Sequence, residues 1–372
     1  MHLKIALLEG DGIGPEVVQQ SVKCLRAIED LFGHSFQFTQ APVGARAIAL
    51  HDNPLPQQTL DLCQQSDAIL FGAIGSLEYD QDPNAKIRPE QGLLKLRKEL
   101  ALFANIRPIK MFSALSANSP IKESVVKGVD LVIFRELLGG SYFSEKTVSQ
   151  DLRHATDLNE YSEGHISRIA HLAFKAAKKR KKKITLADKA NVLETPRLWR
   201  RTVMGIAESY PDVQLDCQFI DNVTYQLVTD PKQFDVILTD NMFGDVLNNL
   251  GSVIIGSNAI LPSASIGGEN AMFEPVHGSY PQAAGKNVAN PVASILSAVL
   301  LLQHFGLEEE ADALMIAVIK SFQKKIVTPD ILGSSDYGTD YVGDFIASNI
   351  EDADEVPTMN MENIGLGKST II

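Results

Sequence analysis

The sequence predicts an α/β protein with a largely parallel sheet, and three features carry that expectation. Short apolar runs alternate with stretches whose apolar residues recur at helical spacing, and glycine-containing turns separate the two kinds of segment. The composition, 45% hydrophobic and 22% charged over 372 residues, is that of a folded soluble chain rather than a disordered or fibrous one. At about 150 residues per domain, the length allows two to three globular units.

Leu3 to Leu8 reads as a strand and Gly10 to Gly14 as a turn. Pro15 opens a helix in which Val18, Val22, Leu25, Ile28 and Phe32 recur at helical spacing. Proline suits a first helical turn because the donor it lacks would have no partner there. Ala68 to Phe71 is followed by a helix over Gln91 to Phe103, and Asp130 to Phe134 by a polar loop. Ile184 to Ala187 leads into a helix through Trp199, and Val236 to Leu238 into a helix from Met242. Val292 to Leu302, the longest nearly unbroken apolar run, is about half the length of a membrane helix and reads as a buried one. The basic block Lys178 to Lys183 closes a helix, where cations meet the negative end of the dipole, and reads as a solvated helix end. After Ile350 the periodicity fades, and residues 353–372 read as a mobile or surface-laid tail.

Lysine and arginine number 34 against 46 acidic residues, a net charge of −12, which argues against nonspecific nucleic-acid binding. Any anion site then needs a local basic cluster. Cys24, Cys63 and Cys217 lie far apart with no CxxC pair, which suggests neither disulfides nor a thiolate zinc site and points to a reducing, cytoplasmic compartment. The opening MHLKIALLEGDG lacks the marks of a secretory signal.

GDGIGP, Gly10 to Pro15, spaces its glycines as GxGxGP rather than GxGxxG, so a Rossmann assignment fails. A tight turn and a ligand contact both remain open for it. On the helix that follows Glu90, Arg97 lies about 40° from Leu93 and about 60° from Leu94, so one face offers a guanidinium beside two branched apolar side chains. That face suits a carboxylate bearing an alkyl group. Arg107 precedes Pro108, and Arg135 directly follows the apolar run from Asp130. Three arginines at element ends suggest a ligand with two carboxylates, although each taken singly could be a salt bridge.

Asp221 and Asp245 are metal candidates, Asp245 standing just beyond a strand's carboxyl end, where ligands collect in open α/β sheets. Carboxylates without cysteine or histidine neighbours favour Mg²⁺ or Mn²⁺. Asn249, four residues on, shares the helix face and could add a contact; capping of the helix start by Asp245 is the alternative. Tyr142 and Lys189 are proton-transfer candidates. From periodicity alone, a structural ion pair between Lys189 and Asp188 is the favoured reading.

The motifs GDGIGPEV, GLLKLRKELALFANIRP, RELLGGSYF, DKANVLE, NMFGD, LPSAS and EPVHGS with AGKNVANP occur in this order across residues 5 to 345. Together they resemble the 3-isopropylmalate dehydrogenases, within the wider β-decarboxylating dehydrogenases that also act on isocitrate, homoisocitrate and tartrate. The resemblance implies a two-domain isocitrate/isopropylmalate dehydrogenase-like α/β fold that is not a Rossmann fold. Residues 1–102 with 256–352 would form a discontinuous cofactor-side domain, and 103–255 a central domain for dimerisation, substrate and metal. It implies a homodimer with shared active sites, Lys189 and Asp221 reaching each site from the partner subunit.

The implied reaction is NAD- and Mg²⁺- or Mn²⁺-dependent oxidative decarboxylation of 3-isopropylmalate to 2-oxo-4-methylpentanoate, a step of leucine synthesis. By motif, Arg97, Arg107 and Arg135 would bind the malate carboxylates, Asp221 and Asp245 the metal, with Asp221 also near the substrate. Lys189 would take the hydroxyl proton as a neutral amine, and Tyr142 would protonate the enolate carbon. His277, Gly278, Ser279, Gln282, Gly285 and Asn290 would line the adenosine half of NAD. Leu93 and Leu94 would face the isopropyl group, because burying a third carboxylate there without a partner is costly.

Three departures stand out. Gln282 replaces an aspartate common in the family, Asn249 replaces a second aspartate, and GSLEYD at Gly75 to Asp80 replaces GGPKWD. With Lys286 as the only cation from Tyr280 to Asn290, NAD remains preferred over NADP. The alternatives are the same chemistry on tartrate, malate, homoisocitrate or isocitrate, and a non-catalytic regulatory homologue.

Overall fold

A computed structural model describes residues 1–82 and 85–351, so the expected tail at 353–372 lies outside the described residues. The chain divides into two compact units, Met1–Leu102 together with the described chain from Gly256 onward, and Phe103–Ile255. The strands in chain order are β1 His2–Gly10, β2 Ser35–Gln40, β3 Ala68–Ala73, β4 Ala104–Lys110, β5 Asp130–Glu136 and β6 Lys146–Val148. They continue with β7 Ala155–Asp157, β8 Lys183–Asp188, β9 Gln214–Phe219, β10 Val236–Thr239, β11 Pro262–Ile266 and β12 Ala271–Pro275.

In the first unit the strands run β2-β1-β3-β12-β11. β1 pairs parallel with β2 and β3, β12 parallel with β3, and β11 antiparallel with β12. Every residue of β3 is buried, as expected for a strand covered on both faces. The helix Gly14–Phe32 starts with proline in its first turn and buries Val17, Val18, Cys24, Leu25 and Ile28. Helix Val292–His304 is buried at each position from Val292 to Leu302, as its unbroken apolar run predicts.

In the second unit the order is β4-β5-β10-β8-β9, with β4 antiparallel to β5 and the rest parallel. β6 and β7 form a separate exposed antiparallel pair. Parallel pairing dominates. Arg135 is the penultimate residue of β5, and helix Asn241–Ile255 starts two residues after β10 ends.

Two local readings need correction. The helix expected over Gln91 to Phe103 spans Pro89–Glu99, because Ala101 takes a left-handed φ of 49° and β4 begins at Ala104. The basic block is only partly a solvated helix end. The helix Glu163–Lys179 stops before Arg180, whose buried guanidinium donates to Asp235 Oδ1 and Asp130 Oδ1, each at 2.7 Å. Arginine's fork lets one side chain neutralise two carboxylates at once.

Candidate active site

The second unit brings Arg135, Tyr142 and Asp245 together. Arg135 is 3% exposed, and its Nη1 donates to Asp245 Oδ1 at 2.5 Å. The Tyr142 hydroxyl donates to the other carboxylate oxygen at 3.2 Å, and the Arg135 guanidinium lies 5.6 Å from the Tyr142 ring centre. Arg135 can adopt this path because residue 244 is glycine: a Cβ there would fall 2.5 Å from Arg135 Cγ. Burial, and then the Asp245 carboxylate, push the Tyr142 phenol above its usual pKa. The phenol is therefore held protonated, the state a proton donor needs.

Asp245 lies in the second turn of its helix, so the capping alternative is overturned. Asp240 does that work, accepting from Phe243 N at 2.8 Å. Asn249 is exposed, and its Nδ2 donates back to the Asp245 carbonyl at 3.1 Å. Lys189 Nζ is paired with Asp221, on helix Ile220–Thr229. The expected pairing of Lys189 with Asp188 is overturned: Asp188 takes Arg200 through both oxygens, at 2.6 and 3.1 Å, and accepts from Ala190 N. Arg107, also buried, donates from Nε to Asn105 Oδ1.

Asp221 and Asp245 supply the hard oxygen donors that a divalent cation of the Mg²⁺ type takes. Among the described residues no three His, Cys, Asp or Glu side chains converge as a metal cluster. The donor chemistry of each carboxylate fits such an ion; within this chain Asp221 pairs with Lys189, while Asp245 meets Arg135 and Tyr142.

In the first unit, Arg97 Nη2 donates to Glu274 Oε1 at 2.8 Å, and both side chains are almost fully buried. Arg97 Nε is buried with no partner. Leu93 and Leu94 are half-buried on the same helix, Leu93 packing on the core beneath. Glu274, the first residue of EPVHGS, has no signal in periodicity; only a buried ion-pair search across distant segments could have found it.

The GDGIGP turn resolves as a support for the proposed cofactor loop. Ile13 N donates to Ser279 O at 2.8 Å, and Glu16 accepts from Gly285 N. Gly12, at φ 58°, must lack a side chain because a Cβ would sit 2.0 Å from Ser279 O. Asp11 accepts from Gly75 N, Ala45 N and Arg46 N, tying the GSLEYD segment to the same turn. Gly278 and Gln282 are exposed, while Ser279 is buried.

His277 Nδ1 donates to Gly278 O at 2.9 Å, and its Nε2 is buried without a partner. Burial lowers its pKa, so the ring is held neutral with Nε2 as a bare acceptor, which fits a ligand donor such as an adenine amino group. The Asn290 side chain is engaged at both ends, with Asp330 at 3.1 Å and Val292 N at 3.0 Å.

The family model for isocitrate/isopropylmalate dehydrogenase matches residues 4–346. A 3-isopropylmalate dehydrogenase of Bacteroides fragilis is 46% identical over 355 residues, covering 95% of this chain and 100% of that protein. One from Desulfitobacterium hafniense is 48% identical over 347 residues, covering 92% of this chain and 98% of that protein. The crystal structure of an isocitrate dehydrogenase from Methylococcus capsulatus is similar with a TM-score of 0.85 at 31% identity, over 94% of this chain and 99% of that one. With the whole α/β core matched and the arginine, tyrosine, lysine and aspartate motifs in place, the chain belongs to the isocitrate/isopropylmalate dehydrogenase family.

Proposed function

We propose that this enzyme carries out the NAD-dependent oxidative decarboxylation of 3-isopropylmalate to 2-oxo-4-methylpentanoate. The observation that carries the reading is the Arg135, Asp245 and Tyr142 constellation: a buried guanidinium, an accessible carboxylate and a protonated phenol in mutual contact. The relatives at 46% and 48% identity support isopropylmalate over isocitrate, as do Leu93 and Leu94 beside Arg97.

Arg97, Arg107 and Arg135 bind the two carboxylates of the acid. Asp245, with Asp221 of the partner subunit, holds a divalent cation whose charge acidifies a bound hydroxyl and polarises a ketone. The loop from His277 to Asn290 would hold NAD, whose nicotinamide would supply the hydride acceptor for C2 of the acid. Lys189, which pairs with Asp221 and would reach the site with it from the partner subunit, takes the proton of the substrate's 2-hydroxyl. Loss of CO₂ from C3 leaves its electron pair as an enolate, and Tyr142 donates its phenolic proton to that carbon.

A homodimer with shared sites accompanies this reading. Tyr225 and Val228 on helix Ile220–Thr229, and Met242, Val246 and Val253 on helix Asn241–Ile255, are exposed apolar side chains that a second copy would cover.

Absorbance of NADH formed with Mg²⁺ over a panel of acids tests the function. The expected result is a kcat/KM for 3-isopropylmalate about 100-fold or more above those for isocitrate, homoisocitrate, tartrate and malate. A higher value for any of these would overturn the substrate. Equal values with NAD and NADP would overturn the cofactor preference.

A further inference from the structure

We propose that Asn241 is a positioning residue of this reaction, one buried amide that fixes both the guanidinium of Arg135 and the bend leading to Tyr142. The inference rests on the functional reading above and adds a residue to it. Asn241 opens its helix and is 1% exposed. Its Oδ1 accepts from Arg135 Nε at 3.0 Å, and its Nδ2 donates to the carbonyls of Leu137 and Gly139, each at 3.2 Å. Its backbone N–H donates to the Tyr161 hydroxyl at 3.0 Å.

A primary amide is the side chain this place requires, since it offers one acceptor and two donors at once. Aspartate would supply the acceptor without donors, and serine is too short to serve all three partners. Neutrality matters equally. An amide orients the guanidinium without adding a fixed buried counter-charge, so the half-exposed Asp245 stays its exchangeable partner; a carboxylate at residue 241 would compete with a substrate carboxylate for it.

The bend is pinned from both sides. Asn241 holds its carbonyls, while Glu136 accepts from the N–H groups of Leu138 and Gly139 at 3.0 and 2.6 Å. Gly139 and Gly140 lie against the Tyr161 ring with no room for a side chain. Tyr142 follows three residues after Gly139, so the position of its hydroxyl depends on this bend. The same device recurs at Arg107, whose Nε donates to the fully buried Asn105, the residue in register with Arg135 across β4 and β5.

The test uses the full-length enzyme with Mg²⁺, NAD and 3-isopropylmalate. The near-isosteric Asn241→Asp should lower kcat/KM by about 100-fold, mainly through the KM of the acid, with the KM of NAD within about twofold of the parent. Asn241→Ser should lose its effect mainly in kcat, because the bend is released. A purely structural role would lower Tm and leave kcat and both KM values unchanged, and that result overturns the proposal.

Hydrogen exchange of residues 137–142, measured without substrate, separates this proposal from the functional reading. Exchange there should be about tenfold faster in Asn241→Ser, with β8 and β9 unaltered. If the parent fails to oxidise 3-isopropylmalate, the functional reading falls while this measurement still decides. Unchanged exchange overturns the proposal.

Discussion

Two arginine–carboxylate pairs, one in each unit, look alike in distance and differ in what surrounds them. Arg97 and Glu274 are both nearly sealed, with side-chain exposures of 10% and 7%. In the second unit Arg135 is sealed at 3%, but its partner Asp245 is 38% exposed. A sealed pair can break only by leaving a charge uncompensated in a poor solvent, so it holds one geometry. A half-open pair can exchange: an arriving cation takes the aspartate and an arriving carboxylate takes the arginine, each charge keeping a counter-ion throughout. The first pair fits a fixed platform and the second a site that changes partners.

The strongest way to break this comparison is to remove one carboxylate charge from each. Glu274→Gln should cost about 3–5 kcal/mol of stability, because Arg97 stays buried without an opposing charge. Asp245→Asn should cost less, about 1–3 kcal/mol, since Asp245 itself is reached by solvent and Asp240 still acts on the sealed Arg135, yet lower kcat/KM by about 100-fold or more if this carboxylate is the proposed metal donor. Denaturant titration and NADH absorbance read the two effects. Equal stability losses would dissolve the distinction.

The second test concerns acidity near Arg135. Desolvation pushes Asp240 up to about 6, against the opposing pull of Phe243 N–H and Arg135. Its folded-state pKa is above the unfolded value of 3.8, so the folded protein binds the proton more readily. The contribution is fully present below pH 3.8 and is lost as pH rises through about 6. Between these values the slope approaches about 1.4 kcal/mol per pH unit where the states differ by one proton. Asp240→Asn should remove that part of the pH dependence of unfolding; an identical dependence in both proteins would show that Asp240 is ordinarily solvated.

The third is smaller and tests the apolar side of the platform. Leu94 is half-buried three residues before Arg97, whereas Leu93 also packs on the core. Leu94→Asn should therefore lower kcat/KM for 3-isopropylmalate by about tenfold with little change in Tm. An unchanged value would remove this leucine from the substrate's alkyl group.

The sequence makes the strand-and-helix alternation legible because each element carries its own period: β3 and helix Val292–His304 are continuous apolar runs, and helix Gly14–Phe32 a proline-led stripe. It is silent on pairing direction at β4–β5 and β11–β12, since a buried strand shows the same residues whichever way its neighbour runs. Arg97 and Arg135 are visible as charges near element ends, whereas Arg107, expected at one, stands in the middle of β4; the companions of all three are invisible. Glu274 meets Arg97 across 177 positions and Asn241 meets Arg135 across 106, and no local spacing encodes such contacts. Arg180 is hidden within a basic run, where only tertiary structure separates the one buried cation from its solvated neighbours. GDGIGP is legible as a turn, while its hold on Ser279 and Gly285 depends on residues some 270 positions away.

Asn249, one turn beyond Asp245 at the exchangeable site, gives the smallest effect. Its amide is exposed and turned back onto the Asp245 carbonyl, one turn along the helix. An amide oxygen is a weaker donor to a hard cation than a carboxylate, so Asn249→Asp should add charge beside Asp245 and tighten Mn²⁺ severalfold. The same change adds a further negative charge one turn from Asp245, which should raise the acid's KM slightly even as the metal binds better. Calorimetric titration with Mn²⁺ separates the two. Tightening without loss of turnover would mean that asparagine holds the metal more weakly than the site allows, while no tightening would place residue 249 outside the cation's reach.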